Sequence, residues 1–183
     1  MGRFASDIKK YKRYSNRNGL ILLLTQQGLW ALLVYRINNK IYRSKLPGFM
    51  KRIFLFFGLF WQKYIEIIAG ISLPYSASIG RSCYIGHFGG IIINANAVIG
   101  EDCNISQGVT VGVSGRGTDR GVPTIGDRVY IGANAVVAGN IAIGNDAVIA
   151  ACSLVTQAVA AGTTVAGVPA KKISDNNSSA YIQ

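Results

Sequence analysis

His87 is the one histidine in a chain of 183 residues, and it lies in the run Gly86-His87-Phe88-Gly89-Gly90. A neutral imidazole can take a proton near physiological pH. A hydroxyl that must attack a thioester needs such an acceptor, because it is a poor nucleophile until its proton leaves. With glycines on either side, a packed structural histidine is hard to accommodate, so the run reads as the place of a general base. A second loaded stretch is Gly112–Thr124 (GVSGRGTDRGVPT), which sets Arg116, Asp119 and Arg120 among glycines. Metal chemistry fits poorly. A single histidine cannot build a three-histidine zinc site, and Cys83, Cys103 and Cys152 form no CxxC pair.

Both stretches interrupt a regular pattern. Ile79, Ile85 and Ile91 are six apart; after a two-residue shift at His87 the series continues through Ile93, Ile99, Ile105 and Val111. It resumes beyond the excursion at Ile125, Ile131, Val137, Ile143, Ile149 and Val155. Four places after each aliphatic stands a small or apolar residue, Cys83 and Cys103 among them. A helix repeats near 3.6 and a simple strand every two residues, so a strict six suits neither. It suits short strands joined by tight turns, three to a coil, with the aliphatics pointing inward: a left-handed parallel β-helix. Regular coils offer no concave site, so function is expected at the two interruptions.

The charge is unevenly placed. Residues 1–70 hold 13 Lys and Arg against Asp7 and Glu66, whereas residues 71–183 hold six of each sign. This basic segment reads as an α-helical region: a flexible or short helical arm over 1–17, then helices over 19–43 and 48–69 separated by Ser44-Lys45-Leu46-Pro47-Gly48. Its aromatic run Phe54, Phe56, Phe57, Phe60, Trp61 is flanked by Lys51, Arg52 and Lys63. Packing on a neighbour or another subunit is one reading of it, and peripheral contact with an anionic membrane is the other. Nucleic acid is not expected, since no recognition motif accompanies the charge. No secretory signal is evident, and the odd, unpaired cysteines suit a reducing cytosol, so a cytoplasmic location is expected. The organisation read from the sequence is thus a helical segment over 1–70, a β-helix over 71–168 with the insert at 112–124, and a tail over 169–183.

From Ile71 to about Lys172 the chain resembles the serine acetyltransferase-like branch of the hexapeptide acyltransferases. The resemblance rests on IGHFGGIIINANAVIGEDCNISQGVTVG, on the Gly-rich loop with Thr118-Asp119-Arg120, and on GANAVVAGNIAIG and AGVPAKKI. Tyr35-Arg36-Ile37 also looks like that branch's helical region. The resemblance implies a homotrimer with active sites between subunits, acetyl-CoA as donor, no metal, and His87 as catalytic base. It further implies that Gly132, Ala133, Ala150 and Ala151 offer small side chains and amides to the pantetheine arm. Lys171 and Lys172 would then meet the nucleotide phosphates, and the loop would fold over the site.

The sequence also departs from that pattern. Serine acetyltransferases place an Asp directly before the catalytic His, a second His after an Asp-Arg pair in the loop, and a carboxylate fifteen residues upstream. Here those positions are Gly86, Gly121 and Ser72. A pocket without charged clamps should hold free serine poorly. The expectation from sequence is therefore a saccharide hydroxyl (capsule, exopolysaccharide or O-antigen) as acceptor, with serine O-acetylation as the alternative. Asn94, Asn96, Gln107, Asp119 and Arg120 are the candidate acceptor contacts, with Asn104 also fitting a polar, uncharged cleft. Ser72, a backbone carbonyl or Glu101 are the candidates for orienting His87.

Overall fold

The computed structural model describes residues 2–183. Four helices come first: α1 (Arg3–Arg13), α2 (Gly19–Thr25), α3 (Gln27–Tyr42) and α4 (Gly48–Ala69). The expected helix over 19–43 is two helices, meeting at about 95°. Gln26 between them is extended, and Asn18 caps α2 by accepting from the Ile21 amide. The turn has a tertiary cause. α2 buries only Leu22, whereas α3 buries a broad face including Leu29, Leu32, Tyr35 and Arg36, and must lie flat against the first coil of strands. Among the described residues no single helix is long and apolar enough to cross a membrane.

Beyond α4 the chain forms fifteen strands. The first seven are β1 (Ile71–Ser72), β2 (Ser78–Ile79), β3 (Tyr84–Ile85), β4 (Ile91–Ile93), β5 (Val98–Ile99), β6 (Asn104–Ile105) and β7 (Thr110–Gly112). After the excursion come β8 (Thr124–Ile125), β9 (Tyr130–Ile131), β10 (Val136–Ala138), β11 (Ala142–Ile143), β12 (Val148–Ile149) and β13 (Leu154–Val155). The chain closes with β14 (Thr164–Gly167) and β15 (Ala170–Ser174). Every third strand pairs in parallel, giving sheets β1-β4-β7-β10-β13, β2-β5-β8-β11 and β3-β6-β9-β12-β14, with β15 antiparallel on β14. This is the left-handed parallel β-helix expected from the repeat.

The register explains the period of six. Ile85, Ile105, Ile131, Ile149 and Val165 are direct partners in successive coils, and all are buried. Ile79, Ile99, Ile125 and Ile143 form a second such column. Each fully buried aliphatic of this kind is worth about 1.5–3 kcal/mol. Cys83 and Cys103 fill small core positions, and burial pushes their thiols up to about 12 and about 11, so both stay neutral. The turns need left-handed backbone, which Ser82, Asp102, Arg128, Asn134, Asp146 and Cys152 adopt at the corners.

A coil stack ends in strands with unpaired amides and carbonyls. The N-terminal end is closed by side chains, and of the two forms expected for the arm over 1–17 its described residues take the helical one, α1, packed on the coil. Tyr11 Oη accepts from the Ile85 amide (3.0 Å) and donates to the Ile85 carbonyl (2.7 Å). Tyr35 Oη does the same between the Ile79 amide and the Ala77 carbonyl. Arg36 donates to the carbonyls of Ile79 and Gly80 and, through Nε and Nη2, to both oxygens of Asp7. Asp7 Oδ1 also accepts from the Cys83 amide. Burial pushes the Asp7 carboxyl above its ordinary range, and the Arg36 hydrogen bonds and charge recover only part of that.

Removing one partner of such a pair strands the other charge out of water. Asp7→Ala is therefore expected to lower stability by about 3–5 kcal/mol in urea denaturation at fixed protein concentration. Arg81→Ala, which breaks an exposed pair with Glu101, should leave the urea midpoint nearly unchanged, because water and salt screen such a pair. Equal effects of the two would show that the buried pair does not hold the cap.

Candidate active site

The three-sided coil assigns each loop to a corner. His87 follows β3, at the corner between the β3 and β4 sheets. Because Ile85, Ile105, Ile131, Ile149 and Val165 are in register, the residues two places on stack along that same corner: His87, Gln107, Ala133, Ala151 and Gly167. Hydrogen bonds tie the turns together, from the Asn134 amide to the Gln107 carbonyl and from the Cys152 amide to the Ala133 carbonyl. Gly132 and Ala150 lie in this column as well. Lys171 and Lys172 reach its far end because β15 pairs Ala166 with Lys171 and Val165 with Lys172. Lys172 is ion-paired with Asp175, and Lys171 has no carboxylate partner among the described residues. Four coil steps separate His87 from this end, about 19 Å at the usual strand spacing. That is the scale of an extended phosphopantetheine arm.

His87 is exposed, and it borders a cavity of about 170 Å³ with Tyr84, Asn104, Ser106, Tyr130 and Tyr181. Tyr84, Asn104 and Tyr130 are cross-strand neighbours on the outer face of this sheet. Tyr14 stacks on Tyr84 (4.2 Å between centroids) and Tyr181 on Tyr130 (4.5 Å). Asn104 is buried between them, its Nδ2 donating to Tyr14 Oη and to the Tyr181 carbonyl, while its Oδ1 has no partner. So Asn104 is a covered wall of the cavity rather than an open contact. This aromatic wall was missed in the sequence because it joins the residue that ends α1, three strands and the C-terminal tail.

The remaining candidates are elsewhere. Asn94 and Asn96 follow β4, at the next corner, where Asn94 Oδ1 accepts from the Asn96 amide. The excursion with Asp119 and Arg120 leaves β7 at that same corner, its base closed by paired hydrogen bonds between Ser114 and Gly121. Its tip, Gly115 to Arg120, is wholly exposed. Within one chain it therefore stands at a different corner from His87. Successive strands turn through one third of the coil, so loops after β3 and after β7 emerge at different edges.

Each departure from the family pattern has a structural counterpart. A side chain on Gly86 would come within 2.9 Å of the Tyr84 ring, and one on Gly121 within 2.6 Å of Asn140 Cβ. Ser72 Oγ donates to Glu66 Oε1 at 2.7 Å, so a carboxylate from α4 stands beside the position where the family's aspartate is absent. Burial opposes the charge on Glu66, but hydrogen bonds from Lys63, Gln62 and Ser72 together hold its carboxyl below the ordinary glutamate range. Glu101 is paired to Arg81 through both oxygens on the surface, which removes it as a partner for His87. No group of three or more His, Cys, Asp or Glu among the described residues is placed to hold a metal.

Residues 123–157 match the model of the bacterial transferase hexapeptide (six repeats). The chain is 36% identical over 157 residues to the serine acetyltransferase of Helicobacter pylori, covering 86% of this chain and 87% of that one. It is 33% identical over 157 residues to that of Synechococcus elongatus, covering 86% of this chain and 61% of the relative's length. Among solved structures, Brucella abortus serine acetyltransferase in complex with coenzyme A superposes with a TM-score of 0.83 at 27% identity, over 96% of this chain and 68% of that one. Neisseria gonorrhoeae serine acetyltransferase in complex with serine gives 0.79 at 34%, over 93% and 67%. The acceptor named for these proteins is serine, which overturns the expectation of a saccharide acceptor and of a role in polysaccharide synthesis. The chain belongs to the serine acetyltransferase family of hexapeptide-repeat acyltransferases.

Proposed function

We propose that this protein transfers acetyl from acetyl-CoA to the hydroxyl of L-serine. The observation that carries the reading is the 36% identity to a serine acetyltransferase of which the chain spans 87%. The corner column supports it. Its small residues Ala133 and Ala151 leave room at the corner for a pantetheine arm, with Lys171 at the end where phosphates would lie, while the Gly132 and Ala150 amides are spent on the strand ladder.

In this reading the His87 imidazole takes the serine hydroxyl proton as the oxygen attacks the thioester carbonyl carbon. The tetrahedral adduct then collapses, the carbon–sulfur bond breaks, and the departing thiolate recovers that proton from the imidazolium. Nearby backbone amides stabilise the developing oxyanion. Glu66, hydrogen-bonded by Ser72, is the carboxylate this reading sets at the family's aspartate position. Asn94, Asn96, Asp119 and Arg120 lie at another corner, and a trimer would bring them from a neighbouring subunit to the His87 cleft. The exposed, unpaired loop tip supports that arrangement.

His87→Ala is expected to lower serine-dependent CoA release about 10²- to 10⁴-fold, with acetyl-CoA affinity retained. No release with L-serine in the unaltered protein would overturn the acceptor. The donor groove has its own test. Cys152 is exposed directly after Ala150-Ala151, while the other two thiols are buried. Acetyl-CoA should slow alkylation of Cys152 several-fold, and an unchanged rate would place the donor elsewhere.

A further inference from the structure

The helix α4 has its amphipathic pattern reversed. Its buried residues are Leu55, Gly58, Ile65 and Ala69. At 100° per residue these cluster on one side, and Phe49, Ile53, Phe56, Phe60, Tyr64 and Ile67 line the opposite one. That outward stripe is apolar and open, with Phe60 62% and Ile67 82% exposed, and Trp61 beside it is 63% exposed. Phe57, Phe60, Trp61 and Tyr64 enclose a shallow groove of about 510 Å³. An exposed apolar surface this long on a well-packed fold marks an interaction face.

Charge selects the partner. Of the 13 cations in residues 1–70, Lys10 pairs with Asp102, Arg36 with Asp7 and Lys63 with Glu66. The other ten have no Asp or Glu partner among the described residues, although Arg13 donates to the Gln183 main-chain oxygen, and both acids of the segment are already engaged. Arg43, Lys45, Lys51 and Arg52 sit at or just before the N-terminal end of α4. Two copies of this face would bring like charges together. An anionic bilayer instead receives the aromatic stripe at its headgroup boundary and attracts the surrounding cations. Trp and Tyr are the side chains best suited to that boundary, apolar in body with one polar tip. We infer that α4 is a peripheral membrane-docking helix that holds the enzyme flat on an anionic lipid surface.

The test is flotation of the full chain with vesicles of phosphatidylcholine alone or mixed with phosphatidylglycerol. The protein should float with the anionic vesicles, remain behind with the neutral ones, and be released at about 0.5 M salt, where screening shortens to a few ångströms. Phe56→Asn with Phe60→Asn should cut vesicle binding at least tenfold, with circular dichroism and acetyl-CoA binding unchanged. Lys51→Gln with Arg52→Gln should weaken binding to anionic vesicles and make it less salt-sensitive. Absence of flotation with either vesicle would overturn the inference. So would a fall in oligomer mass by light scattering in the Phe56→Asn/Phe60→Asn protein, which would make the stripe a subunit interface.

Discussion

The fold depends on how the first coil is closed. A parallel β-helix propagates by giving each coil the amides and carbonyls of the next, so its first coil has nothing beneath it. Here Tyr11, Tyr35, Arg36 and Asp7 take the place of that missing coil, meeting the backbone of Ala77, Ile79, Gly80, Cys83 and Ile85. The tyrosine hydroxyls act as both donor and acceptor, as a neighbouring peptide would. The Asp7–Arg36 pair spans α1 and α3 and fixes their mutual position while both contact the coil. A buried pair of this kind adds little net stability against an apolar alternative, but it tolerates one geometry only. The helical segment and the β-helix therefore form one structural unit, with a shared set of hydrogen bonds rather than a linker between them.

From that closed end the coils rise in strict register, and the register distributes the chemistry. Residues at equivalent positions of the repeat fall in straight columns. One column carries the histidine and the small residues, and a different corner carries the polar excursion. A rigid prism has no means of bringing two of its edges together, so residues at separate corners can share a site only through association of subunits. The same rigidity makes the histidine column a ruler: its length is set by strand spacing and not by loop conformation.

The acceptor assignment shows how absent residues mislead when they are read singly. Gly86, Gly121 and Ser72 each lack a group that the family pattern carries. In space each vacancy is bordered by something informative: the Tyr84 ring, Asn140, and the Glu66 carboxylate. Glu66 lies six residues before Ser72, on a different element, and no linear motif joins them. The tyrosines around Asn104 are equally invisible in sequence, because Tyr14 and Tyr181 lie near opposite ends of the chain and meet on one sheet face.

The sequence by itself determined the β-helix, its inward aliphatic columns and the location of the histidine at a break in the period, because a six-residue repeat has a single compact solution and each inward position is local to its own coil. It also placed the basic charge in the helical segment. Only the tertiary structure decided which predicted residues share an edge, that Asn94 and the excursion stand apart from His87, that the N-terminal helix is the cap, and that a glutamate reaches Ser72. These depend on the angle through which the chain turns between strands and on hydrogen bonds between segments as much as 90 residues apart or more. Local pattern cannot encode such contacts, since they arise when two distant surfaces are pressed together and must satisfy each other's polar groups.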